Sequence, residues 1–180
     1  RLPRLLGHGD AGTGFVPPSV LRQTAIRYRD WRVGQTDLVL EALIAAVLEQ
    51  KVTGKEAWLG WRTLIRTFGT LAPAPAGAPA SLRVFPAPEV WVAIPSWEWH
   101  RASVDKKRST AAMEVARQAE SLEKVVGLDS ARANERMRQV PGVGIWTTAE
   151  AAQRALGDTD AVSYRDDHLL ALITISEPTS

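Results

Sequence analysis

The segment from Val140 to Trp146 limits the fold most strongly, because its sequence VPGVGIW separates two stretches with helical periodicity. Pro141 interrupts a helix, and Gly142 and Gly144 let the backbone approach another surface closely, since glycine has no side chain. Peptide N–H groups beside a helix N-terminus suit a phosphate. The pattern predicts two helices joined by a tight hairpin and leaves two interpretations open, a purely structural turn or a contact to a nucleic-acid backbone.

Apolar residues recur at helical spacing along most of the chain. In DLVLEALIAAVLEQK, with Thr36 as the expected N-cap, they cover more than one face, and a second apolar stripe extends from Thr53, a possible N-cap, to Gly69. No strand-like alternation of any length is present, so the predicted fold class is all-α. The further helices are predicted at about residues 19–28, 89–94, 103–126, 130–137 and 146–156, the fourth capped by Asp129 or Ser130 and the last ended by Gly157.

Two segments lack any helical period. Residues 1–18 are rich in glycine and proline, which predicts an extended lead-in, and residues 70–88 are dominated by proline, alanine and glycine, which predicts a long surface loop. We therefore divide the chain into a partly extended N-terminal lead-in, 1–34, and a helical domain, 35–180. Because the chain begins with Arg1 and ends in HLLALITIS followed by EPTS, we expect a fragment at both ends.

The composition excludes several kinds of site. Without cysteine the chain cannot form a disulfide framework, a thiolate zinc site or a cysteine-ligated iron–sulfur cluster, and its three histidines have no ligand spacing. No apolar run approaches the roughly 18 residues of a membrane span, and the N-terminus does not resemble a signal peptide. These features predict a soluble, intracellular protein without a cofactor. A formal net charge of +2 decides little about nucleic acid.

A carboxylate follows the hairpin at a defined distance. Asp166 comes 24 residues after Gly142 and immediately precedes a helical run, DHLLAL. A carboxylate at a helix N-terminus is held ionised by the helix dipole, but an ordinary N-cap would look the same. From the residues alone both roles stay open.

The segment MRQVPGVGIWTTAEAAQRALGDTDAVSYRDDHL resembles the helix-hairpin-helix DNA glycosylase superfamily, most closely its DNA-3-methyladenine glycosylase II group. Weaker similarity through VLEALIAAVLEQKVTGKEAW, FPAPE and PSWEWHRASV extends the resemblance over roughly residues 35–168. The resemblance implies a helix-hairpin-helix glycosylase core that is incomplete at its C-terminus, because relatives continue for several helices. It implies that Asp166 is the catalytic acid, with Asp167 as a fallback.

The resemblance also implies roles for the hairpin residues. Trp146 stands where lyase members carry a lysine, so we expect a monofunctional enzyme with Trp146 lining the base pocket. The same hairpin is expected to hold a monovalent cation through the backbone carbonyls of Arg138, Val140 and Val143. The residues expected to contact the DNA backbone are Pro141, Gly142, Val143, Gly144 and Thr147.

The expected function is excision of alkylated purines of the 3-methyladenine type from double-stranded DNA, by base flipping and hydrolysis of the N-glycosidic bond in base-excision repair. The enzyme is expected to be a monomer in the cytoplasm, associated with the nucleoid. Two alternatives stay open: a catalytically inactive helix-hairpin-helix module that binds DNA, and a helical interaction protein that shares only the turn.

Several further residues have two interpretations each. Trp58 and Trp61 are expected to pack in the core, whereas Trp97, Trp99 and His100 are expected in a polar turn between helices. Gln50 and Lys51 match a family segment near the DNA, although Lys51 is also explained as a solvated helix-end charge. The same choice between phosphate contact and solvated surface charge applies to Lys106, Lys107, Arg108, Arg22, Arg27, Arg29 and Arg32.

Overall fold

The computed structural model describes residues 2–10, 14–73, 77 and 81–164. In these residues the regular structure is helical, and the one β-type pairing is an isolated bridge between Leu71 and Arg83. The predicted all-α class is therefore confirmed for the described chain. The helices are α1 Leu2–Leu5, α2 Arg22–Arg27 with a 3-10 turn Ser19–Leu21 before it, α3 Val39–Leu48, α4 Gly54–Phe68, α5 Pro88–Ala93, α6 Ser96–Arg101, α7 Lys106–Arg117, α8 Ala119–Glu123, α9 Ser130–Arg138 and α10 Ile145–Ala151, which a π-helical turn Ala152–Leu156 continues.

Helix α3 forms the centre of the core. All its residues except Glu41 and Ala45 are buried, as expected for a helix that is apolar on every side. It packs against α7 on one side and α10 on another, and α4 and α8 also contact it. The predicted burial on more than one face is confirmed, and the C-terminal end of α3 lies at the hairpin.

The expected N-cap of α3, Thr36, is wrong. The helix begins at Val39, and the carboxylate of Glu123 on α8 accepts hydrogen bonds from the backbone N–H groups of Val39 (3.2 Å) and Leu40 (2.8 Å). The Thr36 hydroxyl accepts only the N–H of Leu38, at 3.3 Å. A residue distant in sequence has taken the place of a local cap, because α8 packs beside this end of α3.

Helix α4 follows its sequence signals closely. Thr53 and Glu56 form a reciprocal capping box at its N-terminus, and Gly69 follows its last residue. Trp61 stacks on Phe85 and Trp91, which confirms its place beside the core. Trp58 contradicts the expectation of core packing, because it is 52% exposed and instead stacks under the Arg62 guanidinium at 4.8 Å from the ring centroid.

The region after α5 differs from the predicted turn and single long helix. The expected polar turn is helix α6, in which Trp99 faces the core whereas Trp97 and His100 are exposed. The backbone of Ser103 has a φ of 58°, and the side chain of Asp105 then caps α7. The predicted helix over 103–126 is divided at Gln118 into α7 and α8, and this break brings α8 alongside α3.

The N-terminal segment is peripheral. The short helix predicted near residues 19–28 is confirmed by the 3-10 turn and α2, but the first residues form the helical turn α1 rather than an extended strand of chain. Residues 2–10 contact residues 32–37, for example through an ion pair of 2.8 Å between Arg4 and Asp37. Among described residues before 32 only Gly7 is buried. None of the helices in the described ranges is both long and apolar enough to cross a membrane.

Candidate nucleic-acid interface

The hairpin between α9 and α10 has the predicted form. Asp129 caps α9 through the N–H of Arg132, at 3.0 Å, and the helix ends at Arg138. The turn is closed by a hydrogen bond of 3.0 Å from the N–H of Val143 to the carbonyl of Val140. α10 then begins at Ile145 with Gly144 as its N-cap residue, which has no side chain that could cap the helix. The sequence VPGVG therefore produces two helices joined by a short, glycine-containing loop.

The turn has a buried side and an exposed side. Val140 and Val143 insert into the core, whereas Pro141, Gly142 and Gly144 are exposed. The two valines anchor the loop, so that the three residues without a bulky polar side chain form the outer surface. This arrangement leaves the backbone itself accessible to a partner.

Gln50 braces the hairpin from the end of α3. Its side-chain amide donates hydrogen bonds to the carbonyl of Gly142, at 2.9 Å, and to the hydroxyl of Thr147, at 2.8 Å. Thr147 is buried, so its hydroxyl faces the protein through this bond. The sequence placed Gln50 at the end of α3, in a segment that resembles a DNA-facing segment of the family, but no local pattern could show that it reaches a turn 92 residues away.

Helix α7 packs directly against the hairpin loop. Gly142 has a φ of +87°, and a Cβ atom on it would lie 2.6 Å from the Cβ of Ala111 on α7. Both the backbone conformation and the close approach to α7 therefore require glycine at this position. The hairpin loop, α3 and α7 consequently meet at one point.

Arg108 joins α7 to the end of α3. Its buried guanidinium donates to the carbonyl of Leu48 (2.9 Å), the carbonyl of Ser103 (3.0 Å) and the carboxylate of Asp105 (2.6 Å). The hydrogen bond from Arg108 holds the pKa of the Asp105 carboxyl below its ordinary value. Three segments are thus fixed around one side chain, next to the hairpin.

Trp146 lies half-buried on the first turn of α10. Glu150 follows one turn later and forms a salt bridge of 2.7 Å with Arg154, which also binds Glu49 of α3 at 3.2 Å. Burial raises the pKa of the Glu49 carboxyl, and the charge of Glu150 acts in the same direction, although Arg154 partly offsets both. The hydroxyl of Ser163 donates to Glu150, so residue 163 is attached to the helix that carries Trp146.

The remaining predicted residues have different outcomes. Asp166 and its fallback Asp167 lie outside the described residues. The carbonyls expected to hold a monovalent cation belong to Arg138, Val140 and Val143 at the turn, and that of Val140 already accepts the N–H of Val143, so a cation would share this oxygen. In the part of the chain that the structure describes, no three histidine, aspartate or glutamate side chains are grouped as metal ligands.

No protein-family model and no curated protein sequence matches this chain. Solved structures do: a 3-methyladenine DNA-glycosylase from Archaeoglobus fulgidus matches with a TM-score of 0.72 at 21% identity, over 91% of this chain and 57% of that one. An 8-oxoguanine glycosylase/lyase from Clostridium acetobutylicum, in its apo form, matches with a TM-score of 0.77 at 11% identity, over 99% of this chain and 65% of that one. A DNA-3-methyladenine glycosidase from Bacillus halodurans has a TM-score of 0.58 at 16% identity, over 83% and 67% of the two chains.

The fold is therefore that of the helix-hairpin-helix DNA glycosylases. The similar structures are named as glycosylases for an alkylated base and for an oxidised base, so the likeness shows the fold and does not distinguish between these two kinds of enzyme. The chain spans 57% and 65% of the length of the first two of these structures and 67% of the third.

Proposed function

We propose that this chain is the core of a monofunctional DNA glycosylase that removes alkylated purines from double-stranded DNA in base-excision repair. The observation that carries the proposal is the braced hairpin: its glycine-containing loop is exposed, while Val140, Val143 and the Gln50 hydrogen bonds hold it rigidly against the core. A rigid loop of this kind suits a phosphate contact through the backbone, because no bulky side chain separates the peptide groups from the partner.

The chemistry requires a base that has left the duplex. An N-glycosidic bond inside stacked DNA is inaccessible, so the nucleotide is flipped into a pocket at a cost of a few kcal/mol. As the bond to the base breaks, positive charge develops on the sugar, and a fixed carboxylate stabilises it or orients the attacking water. We assign this role to Asp166 and the backbone contact to Pro141, Gly142, Val143 and Gly144, with Thr147 supporting the loop.

The proposed preference for alkylated purines follows from charge. A purine alkylated at a ring nitrogen is cationic, which makes it a good leaving group and favours stacking on the electron-rich face of an indole such as Trp146. The position that carries a lysine in lyase members is Trp146 here, and an indole cannot form a Schiff base. We therefore expect hydrolysis that leaves an abasic site without a covalent enzyme intermediate.

Base release tests the proposal directly. DNA treated with a methylating agent and DNA that carries 8-oxoguanine are incubated with the protein, and the free bases are separated and quantified. We expect release of methylated purine, a loss of at least about 100-fold in Asp166→Asn, and normal release in the matched control Asp160→Asn. If base release is lost to this extent in Asp167→Asn but not in Asp166→Asn, the catalytic role belongs to Asp167.

Two outcomes would contradict the enzyme proposal in different ways. A protein–DNA adduct trapped by borohydride would show a lyase and exclude the monofunctional mechanism. Because the chain spans only 57% to 67% of the length of these three structures, a DNA-binding module without catalysis is the second candidate. Salt-sensitive binding to duplex DNA without any base release would support that candidate.

A further inference from the structure

We propose that Lys51 and Lys107, on two different elements, are the side-chain phosphate contacts that flank the hairpin, so that the DNA backbone passes over a surface built by α3, α7 and the hairpin together. This inference rests on the proposed function, because it presumes that the hairpin binds DNA. It adds to that function two specific lysine side chains that contact phosphates, and it assigns no phosphate contact to their neighbours Lys106 and Arg108. We call Lys51, Lys107 and the hairpin loop 141–144 the three-sided surface.

The place of Lys107 follows from the contact between Gly142 and Ala111. The two residues touch so closely that a Cβ on Gly142 would be 2.6 Å from that of Ala111. Lys107 precedes Ala111 by four residues in α7, and residues at this spacing share one face of a helix. Lys107 is exposed and lies one turn of α7 before Ala111, so we infer that its ammonium group reaches solvent beside the loop.

The place of Lys51 follows from Gln50. The Gln50 amide is bonded to the carbonyl of Gly142, and the next residue, Lys51, is exposed with a φ of 55°. A lysine rarely adopts this left-handed conformation, so the surrounding structure must impose it. Arg108 and Gln50 do so, because they tie the residues before Lys51 to α7 and to the hairpin.

The charges around the hairpin leave these two ammonium groups available. In the described chain neither Lys51 nor Lys107 forms an ion pair. The nearby acids are engaged: Asp105 binds Arg108, and Glu56 accepts from Thr53 in the capping box of α4. Arg108 has only 7% of its side chain exposed, so it positions the surface and does not itself reach a phosphate.

Lys106 provides a matched control on the same helix. It is as exposed as Lys107 but is rotated from it by about 100° around α7, away from the face that carries Ala111. If only the general positive charge of the protein matters for DNA binding, replacing either lysine should weaken binding equally. If the three-sided surface binds the phosphates, only the replacement of Lys107 should weaken it.

The experiment measures binding of the full chain to an undamaged DNA duplex at several salt concentrations. Each lysine that neutralises a phosphate contributes about 0.9 to the slope of the logarithm of the binding constant against the logarithm of salt concentration. We expect Lys51→Ala and Lys107→Ala each to reduce the magnitude of this slope by about 0.9, the double variant by about 1.8, and Lys106→Ala to leave it unchanged. The three substituted positions are all exposed lysines, so thermal unfolding should be the same in all four variants.

The possible results separate this inference from the proposed function. If the wild-type chain binds DNA and the slope is unchanged in Lys51→Ala and Lys107→Ala, or falls equally in Lys106→Ala, the three-sided surface is wrong while DNA binding stands. If the wild-type chain shows no salt-dependent binding to DNA, the proposed function fails and the inference fails with it.

Discussion

At the scale of single residues, the two glycines of the hairpin meet different physical demands. Gly142 combines a positive φ with direct contact to Ala111, so any side chain there is strained by its backbone and blocked by its neighbour. Gly144 has a φ of −100°, which other residues also adopt, and a Cβ on it would meet open space. The fold therefore requires glycine at 142 but not at 144, where we expect the proposed DNA partner to approach the backbone.

Alanine at each position separates these demands. We expect Gly142→Ala to lower the free energy of unfolding by about 1–3 kcal/mol, because the left-handed conformation and the contact with α7 are both disturbed. Gly144→Ala should leave stability within about 0.5 kcal/mol of the wild type but weaken DNA binding. Urea unfolding and duplex binding, measured on both variants, check the two expectations. A Gly144→Ala protein that binds DNA normally would show that the backbone at 144 is not approached closely.

At the scale of elements, the N-terminus of α3 gathers two carboxylates. Glu123 accepts the first N–H groups of α3, and Glu41 lies in the first turn of the same helix. Burial raises the pKa of the Glu41 carboxyl, and the negative charge of Glu123 raises it further. The ionised form of Glu41 is therefore less favourable in the folded protein than in the unfolded chain.

The sign of this shift predicts how stability depends on pH. Between the ordinary carboxyl pKa and the raised one, the folded protein binds more protons than the unfolded chain, so its stability falls as pH rises through this window. We expect Glu41→Gln to remove the fall and to raise Tm at pH 7 by about 1–3 °C, with no gain at pH 4, where the carboxyl is already protonated. Thermal melts of the wild type and of Glu41→Gln from pH 4 to pH 7 measure this pH dependence of Tm. Lower stability of Glu41→Gln at pH 7 would contradict the assignment.

Local signals predicted the elements well where the neighbouring sequence decides the structure. Thr53 and Glu56 cap α4, Asp129 caps α9, and the glycines fix the hairpin, all through contacts within a few residues. Thr36 failed as the cap of α3 because the acceptor is Glu123, 84 residues away. The break at Gln118 and the helix at Trp97 also depend on packing between distant segments, which periodicity does not report.

The candidate site shows the same division. The hairpin could be predicted from Pro141, Gly142 and Gly144 themselves, whereas Trp146 was selected only through the resemblance to the glycosylase superfamily. Three contacts at the site join segments that are distant in sequence. The bond from Gln50 to Gly142 spans 92 residues, the bond from Arg108 to Leu48 spans 60, and the contact of Ala111 with Gly142 spans about 30. No pattern in a single sequence encodes such contacts.

At the scale of the whole molecule, the buried core and the N-terminal segment are nearly separate. The core begins at Val39 and includes side chains from α3 through the π-helical turn, whereas large apolar residues before residue 32 are exposed. The contacts between the two parts include the Arg4–Asp37 ion pair and a hydrogen bond of 3.0 Å from the N–H of Gln35 to the carbonyl of Arg4. These observations support the proposal that residues 1–34 are a lead-in to the domain 35–180.

Deletion of residues 1–31 tests this proposal. We expect the free energy of unfolding to fall by about 1 kcal/mol or less and Tm to fall by about 2–4 °C, because an exposed ion pair contributes little and no apolar side chain among the described residues before 32 is buried. Circular dichroism at 222 nm during heating measures the change, with Arg4→Ala in the full chain as the control for the ion pair alone. A collapse of the cooperative transition would show that the first 31 residues belong to the folded domain.

The π-helical turn at residues 152–156 makes the length of this segment as important as its sequence. The N–H of Gly157 donates to the carbonyl of Ala152, five residues earlier, so this last turn contains one residue more than a regular α-helical turn. Each residue inserted or removed there would swing the outgoing chain by about 100° around the helix axis. Asp37 also holds the turn from outside, by donating its N–H to the carbonyl of Ala155 at 2.9 Å. We therefore expect homologous chains to vary in the identity of the residues between Gly142 and Asp166 but to keep their number constant.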